Sequence, residues 1–484
     1  MAHRNLLAIM CAGVVLVVGM VAAINLAIPP LSASGLHPSA SALVWVVDLY
    51  VIVFACLVIP GGAAGDRFGR KGVLTAGLIL FAAGAALSAA APTVAVLLAG
   101  RALTGVGAAA VLPNTLAILL HAAPPERHGA TIATWASMTG IGGVLGNVGG
   151  GAVLEAGSWR WLFVAALTAA LVLAVLVARV APVSSRHERR LNPLNALLLV
   201  TASIALLLGI VQGPEQGWGS ALVLASFIAA VLLFALWTAR ELHATHPLLD
   251  PRLFRIAPLR RACLGMTAIF FGMFALFYVN ASFLQYAKGY GVLRTGVAIL
   301  PMTLPIIVGA RHVGRLSARI GIDATVALAF ACVGAGLLAL STAGQHTPYL
   351  QYGAALVLTG TGVALALPTL SAAIARSLPR EQAGVGAGLQ ATTREFGSAL
   401  GVAVIATVVT GRFSAAEHVH TVAQALTIAP RSGVVAAYVS STDVGLRVIA
   451  VAVLALGALV SYRVAPAALR SKKLSLGSSG REKW

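Results

Sequence analysis

The chain has 484 residues, of which 59% are hydrophobic and only 10% are charged, and its mean hydropathy is +0.93. A soluble domain cannot bury so large an apolar fraction, so the composition places most of the chain in lipid. The net charge of +19 is spread over many loops instead of one arm or face, which argues against a nucleic-acid partner. The four cysteines lie in apolar runs, which is typical of core residues and not of disulfides or a metal site.

Fourteen apolar stretches are long enough to cross a membrane, for which roughly 20 residues are needed. We expect every one to be a helix, because lipid cannot satisfy open backbone groups. In chain order these spans are 5–28, 42–63, 73–91, 94–120, 129–154, 161–181, 193–212, 219–239, 262–285, 293–310, 323–343, 350–375, 384–410 and 444–465. The first mimics a signal peptide, but its apolar stretch is too long and lacks a clean cleavage site, so we count it as span 1.

The basic residues predict the orientation of these spans. With both termini inside, 25 of the 33 Lys and Arg residues fall in the termini and inner loops, six fall outside and two lie within spans. This bias predicts a multi-pass protein with both termini in the cytoplasm. Arginine far outnumbers lysine, and alanine and glycine are abundant, which favours a bacterial plasma membrane as its location.

The second half of the chain repeats the first. Residues 103–113 read LTGVGAAAVLP and recur 255 residues later, in 358–368, as LTGTGVALALP. At an offset of 252, the pattern Gly-x4-Arg-x-Gly in 62–69 recurs in 314–321. Equivalent spans are eight apart, an even number, so the two copies have the same orientation in the membrane. This is the plan of a secondary transporter with its site between two similar bundles.

The repeat predicts an all-α membrane protein of two six-helix bundles, related as parallel repeats, with two helices inserted between them. The N-terminal bundle is expected to occupy 1–185 and the C-terminal bundle 259–466. The two inserted linker helices and a cytoplasmic loop fall in 186–258. Residues 467–484 form a basic cytoplasmic tail, which we expect to lie against anionic lipid.

Four charged residues are predicted to lie inside the membrane, where each costs free energy and requires a reason. They are Asp48 in span 2, Arg101 in span 4, and Arg394 with Glu395 in span 13. Asp48 and Arg101 enter their spans to about 9–10 Å at 1.5 Å per residue, so they are able to pair. A carboxyl group in such a place could take up and release a proton during a conformational change. The alternatives are a static structural ion pair, or a water-facing Asp48 near the outer mouth.

The loop after span 2 reads GAAGDRFGRK in 62–71. A tight glycine turn with an acid and several bases at the inner surface suits a charge latch between moving bundles. The simpler interpretation is that its bases only fix the orientation of the chain. The residues of this gating loop are Gly62, Asp66, Arg67, Gly69, Arg70 and Lys71.

Span 5 is rich in glycine, which allows neighbouring backbones to approach closely. The stretch contains Gly142, Gly146, Asn147, Gly149 and Gly150. These residues act either in packing alone or as a flexible seal between the bundles. Several polar or aromatic residues in the spans are weaker candidates for a substrate cavity, and ordinary packing between helices explains each equally well. They are Asn25, Asn114, Trp135, Tyr278, Asn280 and Gln390.

The combination of these motifs resembles the major facilitator superfamily. The loop in 62–71 is similar to the signature loop of that family, and the glycines of span 5 are similar to its antiporter motif. The sequences WRWLF in 159–163 and QATTREFG in 390–397 resemble the fourteen-helix drug:proton antiporter branch. Two positions depart from that branch. Met20 stands where an acid is usual, and Asn147 replaces the proline of the glycine motif.

This resemblance implies a secondary active transporter that exports hydrophobic or cationic small molecules, as in multidrug or antibiotic efflux, by proton antiport and alternating access. It implies no cofactor besides the proton as coupling ion, and a monomer embedded in the bilayer. Export of a lipid or an endogenous metabolite on the same fold is the alternative. A non-transporting membrane sensor is less favoured, because no soluble output domain is visible in the sequence. An enzyme is not expected, since no nucleophile–base set, phosphate loop or metal cluster is visible either.

Overall fold

The computed structural model of the protein describes residues 2–124, 128–182, 193–244, 250–378, 383–417 and 431–461. Helices dominate this part of the chain, and no strand occurs in it. The long helices are α1 (Ala2–Ser32), α2 (Ala40–Phe68), α3 (Arg70–Ala89), α4 (Val94–Ala122), α5 (His128–Ala156), α6 (Arg160–Val180), α7 (Pro193–Gln216), α8 (Ala221–His243), α9 (Ala257–Ser282), α10a (Val292–Ala298) with α10b (Leu300–Ile320), α11 (Ile322–Leu340), α12 (Tyr349–Arg376), α13 (Ala383–Glu417) and α14 (Arg431–Ser461). Short helical turns at Pro251–Arg255 and Phe283–Ala287 precede and follow α9.

The predicted spans coincide with these helices. Within the described ranges, thirteen helices are long and apolar enough to cross a membrane. The remaining predicted span falls on α5, whose 29 residues extend about 43 Å and exceed the roughly 30 Å of a hydrocarbon core. The protein is therefore a multi-pass membrane protein. The basic tail in 467–484 and most of the linker loop before α7 lie outside the described residues.

The predicted start of the last span is wrong. α14 begins at Arg431 and not near 444. The polar residues of 440–443 stand in the interval before the predicted span, but the apolar residues ahead of them are buried. Val434 and Val435 lie in the core, and the Tyr438 ring packs edge-on against Phe413 at 6.3 Å between ring centroids. Burial of these side chains continues the helix into the segment that was expected to be a loop.

Packing between helices confirms the predicted repeat. In the first bundle α1 packs against α5, α2 and α3 pack against α4, and α3 packs against α6. The second bundle has the same contacts with every number raised by eight: α9 with α13, α10b and α11 with α12, and α11 with α14. Helices four, five, twelve and thirteen therefore occupy equivalent places in two like-oriented bundles.

The turns that follow the second helix of each bundle are also equivalent. Gly69 separates α2 from α3 with φ 100°, and Gly321 separates α10b from α11 with φ 91°. Each is the C-terminal cap of one helix and the N-terminal cap of the next. Side chains rarely adopt these angles, so glycine is required at both turns.

Glycines bring the first and fifth helices of each bundle into close contact. Gly142 and Gly146 of α5 lie against the α1 backbone, where a Cβ on Gly146 would stand 2.9 Å from the Ala22 Cβ. In the second bundle, Gly397 and Gly401 of α13 lie against the α9 backbone. Backbones that approach this closely gain van der Waals contact, which drives helix association in lipid.

The inserted helices α7 and α8 pack against each other, and α7 lies against both α2 and α13. α7 therefore touches one helix from each bundle. An apolar cluster separate from the main core joins the three helices. Its buried members are Ile52, Cys56, Leu207, Ile210, Val211, Ala399 and Ala403.

We expect Gly146→Ala to lower the free energy of unfolding by about 1–3 kcal/mol, because the new methyl group meets α1 backbone in a tightly packed contact. Gly149→Ala is the matched control, since no atom lies within 4 Å of its added Cβ. Thermal unfolding in detergent measures both variants. Equal melting temperatures for the two would contradict the close packing of α5 on α1.

Candidate functional site

Two sides of the molecule are distinguished by the chain itself. α1 begins and α14 ends on one side, which we call the terminal face, and the α2–α3 turn at Gly69 lies there too. The other side, which carries the α1–α2 and α9–α10 connections, is called the opposite face. The two bundles meet along two main seams, where α2 packs against α13 and α5 packs against both segments of α10, and α1 also contacts α9.

The gating loop is mostly helical, in contrast to the predicted loop. Helix α2 extends to Phe68, and α3 begins at Arg70, so that Gly69 alone forms the turn. The reason is the positive φ of this glycine, which reverses the chain within one residue. Gly62 and Asp66 therefore belong to the last turns of α2, and Lys71 to the first turn of α3.

Arg70 connects this turn to the end of α4. Its Nε and Nη2 donate to Asp66 Oδ1 at 3.0 and 2.9 Å, and its Nη1 donates to the carbonyl oxygen of Ala117 at 3.1 Å. Within the described ranges, Asp66–Arg70 is the one salt bridge. The Arg67 guanidinium lies over the Phe68 ring, 5.2 Å from its centroid. All of these contacts are within the first bundle, so in this conformation the loop braces α2–α3 on α4.

Arg101 is buried between α4 and α2, with an exposed fraction of 0%. Its Nε donates to the Val46 carbonyl oxygen at 2.7 Å, and its Nη2 donates to that of Val47 at 3.4 Å. The guanidinium also lies over the Tyr50 ring, 4.6 Å from the centroid. A cation–π contact in a dry site is worth more than the same contact in water.

Asp48 is equally buried, with an exposed fraction of 2%. It does not form the ion pair with Arg101 that equal depth permits, because the guanidinium binds the backbone carbonyls just before it. Its Oδ2 has no hydrogen-bond partner, and neither has Arg101 Nη1. Buried polar atoms are almost always bonded, so these two unsatisfied groups are candidates for a functional site.

The second charged pair lies on α13. Arg394 is placed over the Phe270 ring of α9 at 4.7 Å, and its Nε has no hydrogen-bond partner. Glu395 is buried, with an exposed fraction of 7%. No salt bridge joins these two neighbours. The cation–π contact holds Arg394 against its own bundle and leaves the Glu395 carboxylate without that counter-ion.

Tyr50 connects the two charged regions and was missed in the sequence. It contacts Arg101 through its ring, donates from its hydroxyl to the Val17 carbonyl oxygen at 3.0 Å, and lies within electrostatic range of Glu395 across the seam. An aromatic ring two residues after a buried acid was the available signal, since arginine in lipid favours such a partner.

Three of the weaker cavity candidates serve as packing residues. Asn114 is buried and donates to the carbonyl oxygens of Gly61 and Ala110 at 3.1 and 2.8 Å. Asn25 donates back to the Val21 carbonyl oxygen of its own helix at 2.9 Å. Trp135 Nε1 donates to the hydroxyl of Thr115 at 3.0 Å. These contacts favour the structural interpretation of all three.

The remaining cavity candidates lie in the second bundle. Asn280 accepts a hydrogen bond from the Tyr352 hydroxyl, while its own Nδ2 has no partner. Gln390 donates to the Ser371 hydroxyl. Tyr278 is half-buried at the edge of the main core. Asn280 therefore retains one free donor, and Gln390 is engaged within its bundle.

The glycine motif of α5 has two separate faces. The first face packs inside its bundle, against α1, and contains Gly142, Gly146 and Gly150. The second face lies on α10 of the other bundle and contains Gly140, Gly143, Asn147 and Gly151. Gly149 belongs to neither face. The motif therefore has both of the expected kinds of contact. One face packs within the first bundle, and the other forms the seam where the two bundles meet.

Between the described side chains and backbone groups, three hydrogen bonds join the two bundles, and all three lie at the opposite face. Ser32 Oγ lies 3.5 Å from the Tyr286 hydroxyl, Gln285 Nε2 donates to the Leu26 carbonyl oxygen at 3.5 Å, and the Leu293 N–H donates to Glu155 Oε2 at 3.3 Å. The bundles are thus closed together at the opposite face.

These features define a multi-pass α-helical membrane protein built from two repeated bundles, the architecture of a secondary transporter. The chain belongs to the Major Facilitator Superfamily, whose sequence profile matches residues 10–402.

Related proteins were found among bacterial resistance proteins. "Multidrug resistance protein Stp" of Mycobacterium tuberculosis is 30% identical over 399 residues, which are 82% of this chain and 74% of that protein. The puromycin resistance protein pur8 of Streptomyces alboniger is 33% identical over 404 residues, 81% of this chain and 79% of its own. The tetracenomycin C resistance and export protein of Streptomyces glaucescens is 29% identical over 384 residues, 78% of this chain and 70% of its own.

Solved transporter structures share the fold. A bacterial homolog of the human lysosomal transporter Spinster, in an inward-facing and unoccupied conformation, aligns with a TM-score of 0.67 at 15% identity, over 96% of this chain and 97% of its own. A D-xylose-proton symporter aligns with a TM-score of 0.63 at 14% identity, over 96% and 98%. At these identities the likeness establishes the fold alone.

The two arginines should differ in their effect on stability. We expect Arg70→Ala to cost at most about 1 kcal/mol, since its partner Asp66 and its own side chain are 39% and 24% exposed. Arg101→Ala should cost about 2–3 kcal/mol or more, because it removes the buried donors that bind the α2 carbonyls. Melting temperatures in detergent test this, and a larger loss for Arg70→Ala would contradict the assignment.

Proposed function

We propose that this protein exports hydrophobic or cationic small molecules from a bacterial cell by proton antiport. The observation that carries the proposal is the unsatisfied buried acid Asp48, which lies on the helix that forms the α2–α13 seam, in a chain related to drug-resistance exporters. Asp48 precedes Ile52 and Cys56 by one and two helical turns, so it lies on the face of α2 that carries the seam cluster.

Three relatives support the substrate class. Their names specify resistance to multiple drugs, to puromycin and to tetracenomycin C, all small organic compounds. An acid buried in the membrane also favours a cationic ligand over an anionic one. We therefore assign export of antibiotics and related amphipathic compounds to this chain, with no cofactor besides the proton.

Alternating access follows from the arrangement of the bundles. The three hydrogen bonds that join them lie at the opposite face, so the conformation described is closed there. The distribution of basic residues supports a cytoplasmic location for the terminal face, with both termini. In the transport cycle the bundles rock about the contact of α5 with α10 and of α2 with α13, and the opposite face opens to the exterior.

Proton coupling is assigned to the charged residues of the α2–α13 seam. Protonation of Asp48 neutralises a charge on α2 near Arg101, and protonation of Glu395 neutralises one on α13, the helix across the seam. A proton or a cation can shift the equilibrium only if it binds the two conformations with different affinity. Both carboxylates lie on helices that face each other across a seam, so rocking of the bundles changes their surroundings directly.

Proton release is the first test. Purified protein in detergent should release protons when a lipophilic cation such as tetraphenylphosphonium is added. We expect Asp48→Asn and Glu395→Gln each to lower this release about twofold, because each removes one of the two titrating groups. Asp250→Asn is the control, since this residue caps a short helix outside the spans. Release at the wild-type level in both variants would overturn the coupling assignment.

Accumulation in cells tests the substrate class separately. Expression in an efflux-deficient bacterium should lower the accumulation of ethidium at least several-fold, and Asp48→Asn should restore it. The Asp250→Asn variant should behave as the wild type. If no dye or antibiotic changes its accumulation, the cargo is a lipid or a metabolite and the drug-export assignment is wrong.

A further inference from the structure

The first turn of α10a receives its cap from the other bundle. The backbone N–H of Leu293, at the second position of this helix, donates to the carboxylate Oε2 of Glu155 at 3.3 Å. Glu155 lies at the end of α5, in the first bundle. The N-terminal N–H groups of a helix lack partners within the helix, and an acceptor side chain normally supplies one from the residue just before it.

The equivalent helix of the first bundle is capped from its own chain segment. Ser39 precedes α2, and its hydroxyl oxygen accepts from the Ala42 N–H at 3.1 Å. At the repeat offset of 252, the equivalent of Ser39 is Gly291. The two residues have nearly the same backbone angles, φ −65° and ψ 165° for Ser39 and φ −63° and ψ 164° for Gly291. Gly291 makes no side-chain cap.

The second bundle has therefore lost the local cap that its repeat equivalent retains. Glu155 provides an acceptor to this turn instead, at the N–H of Leu293, one residue before Arg294, the equivalent of Ala42. The repeat equivalent of Glu155 itself is Thr410. The carboxylate oxygens would lie 3.5 and 3.6 Å from a Cβ on Gly291, so they occupy the neighbourhood that a serine side chain would enter. A negative charge at this position is also favoured by the helix dipole.

We propose that Glu155 is a gating residue that stabilises closure of the opposite face by capping α10a across the seam. The inference rests on the alternating access proposed above, because the cap exists only while α5 and α10a are in contact. Glycines hold the two helices together at this point: Gly151 faces the backbone of Val292 and Leu293, and Gly296 faces that of Asn147. Opening the opposite face separates these backbones and removes the cap.

This arrangement differs from a local cap in one measurable way. A cap within one bundle stabilises the folded protein equally in both conformations. A cap across the seam stabilises only the conformation closed at the opposite face. Glu155 forms no salt bridge in the part of the chain that the structure describes, so its effect on closure comes through the α10a N-terminus.

Distances between spin labels in lipid nanodiscs measure the equilibrium directly. Labels attached through Ala33→Cys and His346→Cys, both exposed at the opposite face, report opening in a background without the four native cysteines. No substrate is added. We expect Glu155→Ala to raise the ratio of open to closed protein about fivefold, the factor that one N-cap is typically worth. Glu155→Gln, which keeps an acceptor oxygen but not the charge, should give a smaller rise.

Gly291→Ser is the decisive second variant. Its hydroxyl would cap α10a locally in both conformations, so adding Glu155→Ala to it should change the ratio less than twofold. Ser39→Ala is the matched control, which should lower the melting temperature without changing the ratio. An unchanged ratio in Glu155→Ala, or an equal effect of Glu155→Ala with and without Gly291→Ser, would overturn the proposal. Because neither measurement uses substrate or a proton gradient, failure of drug export or of proton coupling leaves this result unaffected.

Discussion

The fold depends on how closely helix backbones approach each other in lipid. Lipid tails are as apolar as leucine side chains, so burial of apolar surface does not drive helix association and close van der Waals packing must do so. Gly142 and Gly146 on α5, and Gly397 and Gly401 on α13, allow this approach at equivalent places in the two bundles. The same helix α5 uses its other glycine face at the seam. Rigidity within a bundle and contact between bundles thus come from one glycine-rich helix.

The two halves share this scaffold but not their charges. Arg101 is equivalent to the buried Leu356, and Glu395 is equivalent to Gly140, which faces α10 across the seam. Replacing a glycine contact by a carboxylate on one side only makes the two seams chemically different. The α5–α10 seam is a close contact of glycines that includes the buried Asn147, whereas the α2–α13 seam contains buried charged groups that lack hydrogen-bond partners. The residues to which we assign proton coupling are therefore found where the repeat is broken.

The sequence predicted the fourteen helices, the repeat and the glycine contacts, because hydropathy and the small-residue pattern are local properties of the chain. It also predicted that Asp48, Arg101, Arg394 and Glu395 lie within the spans, and the structure places all four on long apolar helices, with Asp48, Arg101 and Glu395 buried. The hydrogen-bond partners of these residues could not be predicted from the sequence. That Arg101 binds the carbonyls of Val46 and Val47 and leaves Asp48 unpaired depends on the relative rotation of α2 and α4, which periodicity does not fix. The predicted start of α14 was wrong for a related reason, because tertiary packing buries Tyr438 and continues the helix past the polar residues nearby.

The position of α7 has a mechanical consequence. This helix belongs to neither of the two repeated six-helix bundles, yet it packs with α2 and α13 in one apolar cluster. Any change in the angle between the two bundles must make α2 and α13 slide against α7 within this cluster. In the described chain, no inserted helix packs along the α5–α10 seam. The two seams about which the bundles rock are therefore unequal. The inserted helix α7 supports the α2–α13 seam and separates it from the surrounding lipid, whereas the α5–α10 seam has no such cover in the described chain.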